Sequence, residues 1–261
     1  VDDLARAAGD LDHPLLATHD EVKRSALVVL TSSRGLAGGY NSHVLRAALA
    51  HVDRQAAEGI ETEVHMVGKK GISYFRFLRR PMAEQTAGFG DRPKFEQVEP
   101  LANSLIDRFL KGEIAAAHIA YMRFISAGQQ RPEVMRLLPM ATTEATAETP
   151  VKSPAPAASA AQATGSPSQA AAPAHAVDYE FSPSPRELLD ELLPAIIRVR
   201  LFQAVNDALV SEQVARMVAM KAATDAAGDM IRALSRQYNR ARQTQITMEL
   251  LDIVGGANAL S

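Results

Sequence analysis

The densest group of residues with chemical potential is Gly35-Leu-Ala-Gly38-Gly39, which follows a β-branched run and precedes a helical one. Backbone N–H groups in such a loop, opening a helix, can cradle a phosphate. The spacing is not G-x-G-x-x-G, however, and no acidic residue closes a second strand about 20 residues on, as the dinucleotide fingerprint requires. Gly68-Lys-Lys-Gly71 lacks Walker spacing as well. Tight turns and close packing are the simpler expectation for both loops. The histidines, His13, His19, His43, His51, His65, His118 and His175, are scattered, with no i, i+4 pair and no H-E-x-x-H. They read as surface or half-buried side chains rather than metal ligands. There is no Cys, which excludes disulfides, thiolate zinc sites and a cysteine nucleophile. No G-x-S-x-G elbow occurs, and the carboxylates are spread without a reason to pair any two. Nothing in this inventory assembles a catalytic constellation.

Charge supplies one more candidate. Arg232, Arg236 and Arg240 form an i, i+4, i+8 stripe, with Arg242 nearby. Such a stripe is either a solvated helix face or a track for an acidic partner surface. Residues 184–261 carry nine Arg or Lys and nine Asp or Glu, and the whole chain of 261 residues has a formal net charge of -2. That balance argues against nucleic-acid binding, which needs a basic excess.

The elements that would position these residues fall into unequal parts. Ser25–Thr31 and Thr62–Val67 read as buried strands, and Ala115–Ile125 and Pro132–Met140 as two more. Between them, His43–Glu58, Lys70–Arg79 and Val98–Lys111 have helical spacing, the last with Pro100 placed in a first turn. Alternating strands and helices predict an α/β domain with a mainly parallel sheet over 23–140. In the 36 residues from 141 to 176, 28 are Ala, Pro, Ser or Thr. That composition offers too little bulky apolar surface to offset ordering entropy and predicts a disordered insert. Residues 177–183, with Asp178-Tyr-Glu-Phe181, read as a short extended return strand, and Ser184-Pro-Arg-Glu187 as a capped helix start.

From there to the end, 184–261, the chain reads as one helix. Pro194 is expected to break or kink it, and Gly255-Gly256 to stop it. From Pro194 to Val254 that makes roughly 60 helical residues, about 90 Å. Ala208, Ala215 and Ala222, and likewise Ala219, Ala226 and Ala233, recur every seventh residue, and a second stripe runs through Ala227, Ile231, Leu234, Tyr238 and Ala241. The seam predicts close approach of a second helix, which the chain does not otherwise supply. No run is long and apolar enough to cross a bilayer. Val1 is not Met, so the expectation is either a processed start or a fragment of a longer chain.

Ser32-Ser-Arg-Gly-Leu-Ala-Gly-Gly-Tyr-Asn41 resembles the S-D-R-G-L-C-G-G-F-N segment of the ATP synthase gamma subunit family. Arg216-Met-Val-Ala-Met-Lys-Ala-Ala-Thr-Asp225, Tyr238-Asn-Arg-Ala-Arg-Gln243 and Ile246-Thr-Met-Glu249 resemble its C-terminal signature, and Leu188-Leu-Asp-Glu-Leu-Leu-Pro194 also matches. Three departures stand out. Ala37 replaces the Cys and Ser33 the Asp of the glycine-rich segment. The family's long N-terminal helix is missing, residues 1–22 resembling its end and the link that follows. The insert lies where photosynthetic relatives carry a thiol-regulated one, and this chain has no thiols.

The resemblance implies a Rossmann-like α/β domain plus one very long C-terminal helix, forming an antiparallel coiled coil with a partner helix absent from this chain. It implies a non-catalytic rotor, the central stalk of the F-type ATP synthase, which couples proton-driven rotation of a c ring to ATP synthesis in the beta subunits. Its partners would be the alpha and beta subunits, the epsilon subunit and the c ring, at the cytoplasmic face of the bacterial inner membrane, with no cofactor of its own. By position, Arg216, Arg242, Gln243, Thr247 and Glu249 resemble residues that meet beta-subunit loops. Tyr179 and Phe181 resemble foot residues near the c ring or epsilon. Two other readings stay open on the residues alone: a nucleotide-binding α/β domain with a helical dimerisation tail, and a free coiled-coil scaffold.

Overall fold

The computed structural model describes residues 13–17, 22–140 and 185–260. The expectations for the rest of 1–22, for the insert 141–176, for the return strand 177–183 with Tyr179 and Phe181, and for the Ser184 cap lie outside the described residues. Within them, β1 (Arg24–Leu30), α1 (Tyr40–Ala57), β2 (Glu61–Val67), α2 (Lys69–Phe77), β3 (Glu84–Thr86), α3 (Phe95–Leu110), β4 (Ala116–Ser126), β5 (Gln129–Leu138) and α4 (Pro185–Leu260) follow in that order.

The strands form one sheet in the order β3-β2-β1-β4-β5. Pairings are parallel except β4 with β5. β1 lies centrally and is buried almost throughout, which is why it reads as a continuous apolar run rather than an alternating one. Its side chains still divide by parity. Ala26, Val28 and Leu30 join one core with α3 and α4, while Leu27 and Val29 join another with α1 and α2. The result is three layers, with helices on both faces. Pro132 sits in β5, an edge strand, where its missing N–H costs no ladder bond on the free side.

Several local expectations need correction. β3 was not anticipated: Glu84-Gln-Thr86 has no apolar run, and it is held by its pairing to β2 and by His65 Nδ1 at 3.0 Å from the Glu84 carboxylate. α3 begins at Phe95, so Pro100 lies inside the helix and not in its first turn. The earlier start is fixed by the Gln97 side-chain oxygen, which accepts the Lys94 N–H at 3.1 Å, and by Phe95 packing edge-on against Phe202. Pro194 does not interrupt α4. Leu189, Leu193, Ile197 and Leu201 are buried on one face both before and after it, and that packing offsets the lost hydrogen bond. Gly255 and Gly256 do not stop the helix either, since neither adopts the left-handed conformation a glycine stop uses.

Candidate functional site

The glycine-rich segment forms a closed loop after β1. The Ser32 N–H donates to Asn41 Oδ1 at 2.9 Å, and the Asn41 amide returns a bond to the Ser32 hydroxyl at 2.8 Å. These two residues clamp the loop across its neck. Ser33 and Arg34 tie it sideways to the 87–93 loop, through the Ala87 carbonyl and the Asp91 carboxylate. Gly68, at φ 105°, lets the strand end turn beside the same region, where a Cβ would meet the Thr31 carbonyl at 2.1 Å.

What the loop carries is α4. A Cβ on Gly38 would sit 3.7 Å from the Ala219 side chain, so small residue faces small residue. The Arg216 Nε–H donates to the Gly35 carbonyl at 3.3 Å, and the Arg216 guanidinium also pairs with Glu212 at 2.6 Å. Lower down, the Ser211 hydroxyl donates to the Met122 carbonyl at 3.1 Å, and Arg198 donates to Asn103 Oδ1 at 2.7 Å. His13 Nε2 lies 3.0 Å from the Asp190 carboxylate. The first members of the alanine series therefore serve this seat: Ala208 is buried in the main core and Ala215 packs against the second.

Beyond the seat the helix stands clear. Every residue from Lys221 to Asn258 is exposed except the half-buried Gly228. Ala222, Ala226 and Ala233 lie on this bare stretch, as do Met230, Ile231, Leu234, Tyr238, Met248, Leu251 and Ile253. At about 1.5 Å per residue the stretch is roughly 60 Å long. Such a run of exposed large apolar side chains marks a surface built for partners.

The residues singled out in the sequence separate into two places. Arg216 belongs to the seat. Arg242, Gln243, Thr247 and Glu249 lie on the bare rod, where the Thr247 hydroxyl donates to the Gln243 carbonyl at 2.9 Å and Glu249 accepts from Gln245 at 3.0 Å. Arg232 pairs with Asp229, while Arg236 and Arg240 make no ion pair among the described residues. The seat itself was not anticipated. Its sequence signals were present: Glu212 and Arg216 at i, i+4, and Ser211 breaking an otherwise apolar face. Among the described residues, no cluster of three or more His, Asp or Glu could hold a metal ion, and no helix is long and apolar enough to cross a membrane.

Comparison with known proteins agrees with this layout. The chain matches the ATP synthase family over residues 1–260. It is 40% identical to the ATP synthase gamma chain of Frankia casuarinae over 255 residues, covering 96% of this chain and 78% of that one. It is 37% identical to the gamma chain of Rhodopirellula baltica, covering 100% of this chain and 82% of the relative. Among solved structures, a chain of the Euglena gracilis mitochondrial ATP synthase (OSCP/F1/c-ring) superposes with a TM-score of 0.58 at 16% identity, over 92% of this chain and 73% of that one. The domain with its projecting helix, the clamped glycine-rich loop and the matches over nearly the whole length converge on one assignment: this chain belongs to the ATP synthase gamma-chain family.

Proposed function

We propose that this chain is the central-stalk rotor of an F-type ATP synthase, a non-catalytic subunit that transmits torque between a membrane-embedded c ring and the nucleotide sites of the beta subunits. The observation that carries this reading is the division of α4. Its first part is locked to the domain by a buried aliphatic stripe from Leu189 to Ala208 and several polar contacts, and its last part is a bare apolar rod. A part clamped at one end and bare at the other suits the transfer of rotation, not bond chemistry. In this reading Arg242, Gln243, Thr247 and Glu249 meet the beta subunits, Arg216 holds the rod to its base, and Tyr179 and Phe181 belong to the foot facing the c ring or epsilon. The Arg232, Arg236 and Arg240 stripe faces acidic partner surface. The alpha, beta and epsilon subunits and the c ring are the partners, at the cytoplasmic face of a bacterial inner membrane.

The test is a rotation assay on the assembled complex, with a bead fixed to the α/β domain and the alpha–beta ring immobilised. ATP should drive one-directional turning of the bead. Removing 221–260 should abolish coupling while leaving the domain folded. A stationary bead during steady hydrolysis, or full coupling after the deletion, would overturn the proposal.

A further inference from the structure

Torque transfer leaves one feature of the domain unused. A cavity of about 330 Å³ lies between α4, the sheet and the 87–93 loop, a volume suited to a small ligand. Leu30 and Val67, which end the neighbouring parallel strands β1 and β2, Val205 and Leu209 of α4, and Phe89 supply its apolar lining.

The polar groups converge on one kind of ligand. Tyr40 and Lys69, the first residues of α1 and α2, both line the cavity. Neither helix has an acidic residue in its first turn or a side-chain cap, so their positive ends are not offset locally. The Lys70 and Gly71 N–H groups are already taken, by the Ser32 carbonyl at 3.0 Å and the Thr31 hydroxyl at 3.1 Å, so α2 supplies field rather than donors.

Tyr40 is an independent pointer. Its side chain is only 3% exposed, yet it lines the cavity, and among the described residues its hydroxyl has no hydrogen-bond partner. Burial first, and the Glu212 charge second, raise its pKa above the ordinary phenol value, so the group stays a donor. The hydroxyl therefore offers a free donor, on an otherwise buried side chain, to a molecule that enters the cavity. The charges also count out simply. Asp91 is matched by Arg34 and Glu212 by Arg216, which leaves Lys69 as the one lining charge without an ion pair among the described residues.

We propose that this cavity binds a small amphipathic monoanion, a planar apolar body bearing one carboxylate, with Lys69 facing the anionic group and Tyr40 donating a hydrogen bond. Seated there, the ligand touches both the sheet and the part of α4 from Val205 to Glu212, and ties shaft to domain beside the glycine-rich loop. The inference does not depend on the rotor reading, since its test needs neither rotation nor the other subunits.

The test titrates 1-naphthoate and its neutral analogue 1-naphthol into the intact 261-residue chain, read by saturation-transfer NMR. Naphthoate should bind saturably and more tightly than naphthol. Lys69→Gln, on an exposed side chain, should weaken naphthoate by about threefold to fivefold and leave naphthol unchanged. Tyr40→Phe should weaken both probes by about fivefold to tenfold. Ala208→Phe should fill the space and abolish both, with circular dichroism confirming the fold. No saturable binding, equal affinity for the two probes, or indifference to Lys69→Gln would overturn the proposal. So would unchanged binding in a folded Ala208→Phe protein.

Discussion

The lower and upper parts of α4 are one helix in two situations. From Leu189 to Ala208 its apolar stripe is buried against α3 and β4, and polar contacts continue to Arg216. From Lys221 to Asn258 comparable side chains face solvent, with Met230 and Ile231 each 65% exposed. Both stretches carry large apolar side chains, more densely in the lower one. What separates them is that the lower stripe finds the sheet and the upper one finds nothing within the described residues. Most helical stability in proteins comes from packing such a face, so the lower part is stabilised by its own chain and the upper part must be stabilised by others.

Single substitutions should expose this contrast, and the largest effect belongs to the seat. Leu201→Ala removes a fully buried side chain and should destabilise the chain by about 2–5 kcal/mol in chemical denaturation. Leu251→Ala, on the bare rod, should stay within about 0.5 kcal/mol in the isolated chain. Equal costs at the two positions would erase the distinction between the halves.

Acid should act on the domain next. His118 on β4 packs at a tilt against His51 of α1, with ring centroids 4.5 Å apart and planes at 56°, and its Nδ1 is buried without a hydrogen-bond partner. Burial first, then His51, Arg136 and Arg54, push its pKa down from the usual 6.5 to about 3. The folded value lies below the unfolded one, so the unfolded chain takes up the proton first. The neutral ring therefore contributes stability that is full above pH 6.5 and is lost as pH falls towards 3. Between pH 7 and 5 the loss should be about 2 kcal/mol, and His118→Leu should flatten that slope. Denaturation midpoints across this range give the check, and an unchanged slope in the variant would remove His118 as its source.

At the junction between the halves the effects shrink. Arg216→Met takes the partner from Glu212, whose side chain is 13% exposed, and should cost about 1–2 kcal/mol. The same variant should raise amide exchange at 212–220 more than at 190–205. The smallest effect concerns Ala222→Leu. The side chain is exposed, so the isolated chain should change by less than about 0.5 kcal/mol. Within an assembled complex the same change should cost about 1–3 kcal/mol if a second helix packs on that seam. A thermal midpoint unmoved in the complex would show that the seam faces no partner.

Much of this layout was legible in the residues, for reasons that also explain what was not. The central strands announce themselves because burial on both faces demands continuous Val and Leu, as in Leu27 to Leu30. β3 carries no such mark, because three residues at an edge are held by their neighbour and not by their own propensity. Pro194 misled for a similar reason: a proline is read locally, while Leu189, Leu193, Ile197 and Leu201 act from outside the helix. The glycine-rich loop had the look of a ligand cradle, and its glycines in fact admit Ala219 of a helix some 180 positions away, a relation no local pattern encodes. The periodic alanines were visible, but only the packing divides them between seat and free rod. The cavity beside Tyr40 was not visible at all, since its walls come from five separate segments.

The seat spans Leu189 to Arg216, about 40 Å of helix, and the overhang beyond it is about 60 Å. In engineering language α4 is a cantilever, built in over two-fifths of that length. Long helices curve gently even when supported on one side, and among the described residues nothing packs on the stretch from Lys221 to Asn258 to oppose its bending. Sway should be small up to the Arg216–Gly35 contact and grow towards Asn258. Compliance of that kind lets the tip follow an uneven socket while the base keeps its heading. It also means that the clamp at the glycine-rich loop, and not the tip, fixes the axis about which the tip can wander.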